Sequence, residues 1–277
     1  MCLDVKGLLM KILVLAAALA ASGAASAAAA DLSSRAWTKA PAAQDAGYNW
    51  GGWYVGGNAG GAWGRSETSN AFVNGTAPIA NQQAVAAASP RLEPDGFTAG
   101  GQVGYNHQVD RWLFGVEADA SYFGLKQART TGAAFPIGNN TFSTTNSVTT
   151  DWLATLRPRV GYAVDRTLFY ATGGLALTEM KTGSGFSDSS GQSQTAGLSK
   201  VTAGWTAGAG IEHAFTNNWS AKVEYLYTDF GKQSFSGPIF AGQTPTPGMI
   251  TQNVDLKTNT VRGGLNYHFG GAPVARY

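Results

Sequence analysis

Trp219-Ser220-Ala221-Lys222-Val223-Glu224-Tyr225-Leu226-Tyr227-Thr228-Asp229-Phe230-Gly231 is the stretch whose reading decides the fold. With a period of two, one face carries Trp219, Ala221, Val223, Tyr225 and Tyr227, and the other carries Ser220, Lys222, Glu224, Leu226 and Thr228. Such alternation marks a strand whose two faces meet different surroundings. Rings at both ends with small apolar residues between them suit a bilayer, where amphipathic aromatics sit at the headgroups and hydrocarbon fills the middle. The polar face then looks into an interior.

Working outward, seven further segments read the same way: Gly52–Trp63, Phe97–Gln108, Trp112–Phe123, Asp151–Ala163, Thr167–Thr178, Lys200–Phe215 and Val254–Phe269. Short connections (Val109-Asp110-Arg111, Val164-Asp165-Arg166, Thr216-Asn217-Asn218) alternate with long polar ones (Arg65–Asp95, Gly124–Thr149, Lys181–Ser199, Gly231–Asn253). Connections sorted by parity are the pattern of bacterial outer-membrane strands, and a soluble sandwich has no reason to show it. The expectation is an all-β fold, an eight-stranded antiparallel up-and-down transmembrane β-barrel with long extracellular loops and short periplasmic turns. Pro158 falls mid-strand on the outward face, where it cannot donate to a neighbour, and is expected to mark a bulge or a kink.

Composition agrees. Only 13% of the residues are charged, against roughly 25% in an ordinary soluble domain, while 11% are aromatic. Beyond the first thirty residues no apolar run approaches the roughly 20 that a spanning helix needs. Membrane-interface aromatics are expected at Trp53, Trp112, Trp219, Tyr267 and Phe269 on the short-turn side, at Trp63, Trp152, Trp205 and Tyr227 near the long loops, and at Tyr225. Residues 1–30 read as a signal peptide: Met10-Lys11, then the apolar Ile12-Leu13-Val14-Leu15, then Ala25-Ser26-Ala27 as the first of several cleavage choices near 27–30. Residues 31–50 read as a poorly ordered periplasmic lead-in, 51–269 as the barrel and 270–277 as a short tail. Cys2, the only cysteine, falls in the part removed. Lys and Arg form no patch or run, so no nucleic-acid partner is expected.

The inward positions collect the strand charges: Glu117, Asp119, Glu212 and Glu224 against Arg157, Arg159, Lys222 and Arg262. Four acids cancel four bases. Glu212 and Lys222 stand five residues either side of Asn217, so a symmetric turn sets them opposite. An eight-strand interior has room for side chains and none for a wide bore, and unpaired ions there would cost several kcal/mol. A plugged lumen is therefore expected, with Gly56, Gly100, Gly104, Gly161, Gly208, Gly210 and Gly264 making room for the long side chains. The competing readings are an ion-selective pore lining, which needs a wider barrel, and a ligand clamp built on Arg157 and Arg159.

Catalytic signals are sparse, and no enzyme is expected. His107, His213 and His268 fall near the short-turn ends without metal-ligand spacing, Gly-x-Ser-x-Gly is absent, and Gly208-x-Gly210 lacks the context of a nucleotide site. No cofactor is expected either, because a haem would want a His or Tyr ligand and the long connections offer only Met249.

Several segments carry a family resemblance: Gly52-Trp53-Tyr54-Val55-Gly56-Gly57, Tyr170-Ala171-Thr172-Gly173-Gly174, Gly204-Trp205-Thr206-Ala207-Gly208-Ala209-Gly210-Ile211-Glu212, Glu224-Tyr225-Leu226-Tyr227, and Thr260-Val261-Arg262 through Tyr267-His268-Phe269. The chain resembles the small outer-membrane β-barrel surface proteins of alphaproteobacteria, the outer-membrane immunogenic proteins of the OmpA/OmpX-like porin family. The resemblance implies roles in envelope integrity and surface exposure, with no catalytic residues to carry over. It implies location in the bacterial outer membrane, with outer-membrane lipid and lipopolysaccharide, the barrel-assembly machinery and a surface or host ligand at the loops as partners. Phe269 is followed by eight residues instead of ending the chain, a departure that bears on the insertion signal. The alternatives are a narrow passive porin and a secreted soluble β-barrel that binds an apolar ligand, the latter requiring the apolar faces to point inward.

Overall fold

The structure is a computed structural model that describes residues 48–73, 80, 83, 84, 87, 91–191, 193–239 and 248–269. The expected leader, most of the lead-in and the tail lie outside the described residues. Among these, nine antiparallel strands form one sheet: β1 (Gly52–Val73), β2 (Asp95–Val109), β3 (Trp112–Phe123), β4 (Lys126–Ala134), β5 (Thr141–Val164), β6 (Thr167–Asp188), β7 (Ser193–Ala214), β8 (Trp219–Ile239) and β9 (Gly248–His268). Their order is β1-β9-β8-β7-β6-β5-β3-β2-β4, and β1 also pairs with β2.

The expectation of an eight-stranded up-and-down barrel is corrected by this sheet of nine. β4 is the extra strand, pairing with β5 from Lys126↔Thr149 to Ala134↔Thr141. The long polar connections are corrected with it. Much of Arg65–Asp95, Gly124–Thr149, Lys181–Ser199 and Gly231–Asn253 is strand, so β5 runs 24 residues and β6 runs 22. The physical reason lies in composition: these stretches are rich in Thr and Ser, and Thr favours the pleated backbone. With polar residues on both faces, the alternation that signals a strand disappears even though the strand does not.

Where the faces differ in polarity, the period of two sets orientation. Val223 is 62% exposed and Glu224 1%, and Leu265 is 53% exposed and Arg262 2%. The apolar set points out and the ionic set points in. The turns are tight where expected: Asp110 and Asp165 hold φ near 54° and 51°, a left-handed conformation that Asp tolerates. At the β7–β8 turn the Thr216 hydroxyl accepts the Trp219 N–H at 2.9 Å.

Pro158 does not mark a bulge. It is exposed, faces Val116 on β3, and the β5–β6 register is the same before and after it, Leu156↔Leu175 and Arg159↔Thr172. Its carbonyl accepts the Thr172 hydroxyl at 2.9 Å. The register shifts lie elsewhere, between Thr150 and Leu153 and between Asp229 and Lys232. The second contains Gly231 at φ 63°, a conformation that costs a side-chain-bearing residue energy.

The buried face is layered along the strands. Tyr48, Trp50, Leu113, Ala163, Leu168, Tyr170 and Ala214 form an apolar cluster at the short-turn end. A second cluster, including Phe123, Leu125, Val148, Met180, Phe230 and Leu256, lies toward the far end. The ionic residues occupy the strand positions between them. Tyr48 and Trp50, at the end of the expected lead-in, are buried.

Candidate functional site

The eight inward charges come from five strands: Glu117 and Asp119 on β3, Arg157 and Arg159 on β5, Glu212 on β7, Lys222 and Glu224 on β8, and Arg262 on β9. All eight are buried. The register brings Glu117 opposite Arg157 and Glu224 opposite Arg262.

Arg157 joins three carboxylates: its Nη2 lies 2.6 Å from Glu117 and 3.0 Å from Asp119, and its Nη1 lies 3.2 Å from Glu224. Arg262 grips two, with Nη1 at 3.0 Å from Asp119 Oδ1 and Nη2 at 2.7 Å from Glu224 Oε2. Such forked guanidinium–carboxylate pairs are the strong kind of hydrogen bond. Glu212 and Lys222 do face each other in register, yet they pair elsewhere. Lys222 Nζ donates to both oxygens of Glu117 at 3.0 Å, while Glu212 lies 3.3 Å from Arg159 Nη1. Backbone register fixes Cα positions, whereas a long side chain reaches across the buried face to an oppositely charged group on another strand.

Counting charges alone missed the neutral partners. Tyr54 and Tyr170 donate to Glu117 at 2.7 Å and to Glu224 at 3.1 Å. Arg159 lies 4.5 Å from the Tyr54 ring centre and 5.3 Å from that of Tyr170, so a cation is held against two π faces. Asn58 donates to Gln102 at 2.7 Å, Gln102 to Asn266 at 2.6 Å, and Asn266 to Glu212 at 2.6 Å. The Thr155 hydroxyl donates to Asp119. Inward parity was the available signal for all of them.

The role of the glycines needs one revision: they admit tyrosines as well as charged side chains. A Cβ on Gly104 would stand 2.2 Å from the Tyr54 hydroxyl and 2.3 Å from its ring carbon. Gly104→Ala is expected to lower the unfolding free energy by about 1–3 kcal/mol through overpacking, read from urea titration of Trp fluorescence in lipid vesicles. On a Tyr54→Ala background the added methyl should cost nothing further. An undiminished loss there would place the strain elsewhere.

At the short-turn end, His268 Nε2 lies 3.0 Å from the Ser220 hydroxyl and 3.3 Å from Glu212, and the ring stacks on Tyr54 at 5.4 Å. Both partners meet the same ring nitrogen, so the three do not form a nucleophile–base–orienter relay. Above the network lies the Trp50–Tyr48 pair, 4.7 Å between centroids. Burial, then the charge of Glu212, push the Tyr48 phenol up to about 12, with Arg166 opposing. The unfolded phenol ionises near 10, so its contribution is full below pH 10 and is lost as pH rises toward 12. Tyr48→Phe should flatten the fall in stability over that window. An identical slope in the variant would remove Tyr48 as its source.

On the outer face, Trp53 and Tyr105, Trp112 and Tyr162, and Trp219 and Tyr267 meet as cross-strand ring pairs with centroids 5.3–5.4 Å apart, and Phe269 continues the row beside Tyr267 at 5.3 Å. Toward the other end lie exposed Trp63, half-buried Trp152, and Trp205 against Tyr227 at 5.4 Å. Tyr225 sits one row nearer mid-sheet, its hydroxyl donating to Asn259 at 2.6 Å. Among the described residues no group of three or more His, Cys, Asp or Glu could hold a metal.

The family model for the outer membrane protein beta-barrel domain matches residues 14–269. The 31 kDa outer-membrane immunogenic protein of Brucella melitensis biotype 1 is 34% identical over 234 residues, covering 80% of this chain and 85% of that protein. The 25 kDa outer-membrane immunogenic protein of Brucella abortus is 30% identical over 230 residues, covering 83% and 84%. The crystal structure of Neisserial surface protein A is similar at a TM-score of 0.33 and 12% identity, covering 78% of this chain and 97% of that one. With the family model spanning the strands that carry both the ionic interior and the aromatic rows, the chain belongs to the outer-membrane β-barrel protein family and is a protein of the outer membrane.

Proposed function

We propose that the protein is a structural and surface component of the outer membrane that contributes to envelope integrity, and that its enclosed interior does not conduct. The observation that carries this reading is the stacked filling of that interior. Four acids and four bases are buried together, with apolar clusters toward either end of the strands. An ion entering would have to displace partners held at 2.6–3.2 Å in a low-dielectric space. The aromatic rows would rest at the bilayer interfaces, with lipid and lipopolysaccharide as neighbours and the polar strand extensions available for surface contacts. Residues 1–30 would serve as the leader, cleaved near 27–30, and the assembly machinery would read the last-strand aromatic. A soluble apolar-ligand binder would need the opposite orientation of Val223 and Leu265. In planar lipid bilayers the purified protein should give no steady single-channel openings. Steady large openings would overturn the reading in favour of a narrow porin.

A further inference from the structure

We propose that the outward face of β5–β8 binds one phosphatidylethanolamine molecule, with an acyl chain in a groove over Ala171 and Ala209 and the head held at the turn-side rim by Arg111 and Asp165. The register lays residues out in rows across these strands. One row is Val160, Ala171, Ala209 and Tyr225. The next toward the short turns is Tyr162, Phe169, Ile211 and Val223. Two paired alanines among larger neighbours leave a groove of about 570 Å³ whose lining is almost wholly apolar. It opens outward within the lipid-facing band, so its occupant comes from the bilayer.

One row further, polarity changes. Thr167 and His213 are paired, with the Thr167 hydroxyl 3.0 Å from His213 Nδ1. An occupant must therefore be apolar over the alanines and polar at this end, which orients an acyl chain and its head. The rim carries both signs. Arg111 reaches the Tyr162 hydroxyl at 3.5 Å, beside the groove, and its carbonyl accepts the Ala163 N–H at 2.7 Å, which sets its turn against the one that carries Asp165. Arg166 of that same turn is engaged below, donating to Asn217 at 2.8 Å and lying over the Tyr48 ring. A guanidinium suits a phosphodiester, and a carboxylate beside it accepts hydrogen bonds from a primary ammonium. Phosphatidylethanolamine offers both groups. Phosphatidylglycerol lacks the ammonium, and a quaternary ammonium cannot donate.

Native mass spectrometry of the delipidated, refolded protein, given phosphatidylethanolamine or phosphatidylglycerol, tests this. One phosphatidylethanolamine per chain should be retained, with at least about tenfold preference over phosphatidylglycerol. Ala171→Leu with Ala209→Leu should cut retention by a similar factor, and Asp165→Asn should erase the preference between heads. Heat-modifiable migration on gels checks that each variant folds. Should the leucine variant fail to fold, Asp165→Asn and Arg111→Gln, both in exposed turns, carry the test. Equal retention of the two lipids by the wild-type chain, or undiminished retention in a folded leucine variant or in both turn variants, would overturn the proposal.

Discussion

Arg262→Met will lower the unfolding free energy by about 3–5 kcal/mol, the cost of removing one partner from a buried ion group. Arg262 donates through Nε to Glu224 at 2.8 Å and through Nη1 and Nη2 to Asp119 at 3.0 and 3.3 Å. Without it, Asp119 and Glu224 retain Arg157 as their nearby guanidinium, and three buried positive charges face four negative ones. Methionine fills most of the volume, so the loss reads charge more than cavity. Adding Glu224→Gln should recover part of the loss by restoring neutrality, a coupling that a double-mutant cycle measures. Lys181→Ala, which removes an exposed pair with Asp151, is the control and should leave stability unchanged because water screens that pair. Urea unfolding in lipid vesicles supplies the numbers, and equal effects at Arg262 and Lys181 would defeat the idea of a dry network.

Trp50→Ala is the second large effect, also about 3–5 kcal/mol, typical of emptying a buried aromatic site. Trp50 has no solvent exposure. Its backbone N–H donates to Gln108 Oε1 at 2.7 Å, its carbonyl accepts from Asn106 Nδ2 at 3.0 Å, and its ring lies 5.5 Å from that of His268. Asn106 in turn accepts from Arg159 Nε at 2.9 Å. Losing the ring thus opens a cavity beside the end of the network, while the main-chain bonds to Gln108 and Asn106 survive the substitution. Trp53→Ala, three residues on and on the outward face, tests ring loss without that cavity and should cost less. If the two variants unfold alike, the buried site of Trp50 adds nothing beyond the loss of a ring.

Orientation was legible in the sequence wherever the two faces differ in polarity. Val223 beside Glu224, or Arg262 beside Val261, states which side meets hydrocarbon. Register was legible where a short turn fixed it, as for Glu212 opposite Lys222. Partners were not, because side-chain reach decides them: Lys222 meets Glu117 and not the residue facing it. Strand length was hidden where Thr144, Thr145, Asn146 and Ser147 put polar atoms on both faces. Trp50 was hidden for a different reason. It stands beyond any alternating run, in a stretch whose composition resembles a linker, and only the folded end of the sheet gives its ring a place.

The ionic interior draws on β3, β5, β7, β8 and β9, which places its members from residue 117 to residue 262. Hairpins can form one at a time, but Arg157 and Arg262 meet the same two acids, Asp119 and Glu224, only once β9 has joined β1 and β1 has joined β2, which brings the side chains of β3 and β9 within reach of each other. A half-assembled chain would leave buried charge unneutralised, so the ionic interior favours completion of the sheet in a single cooperative event.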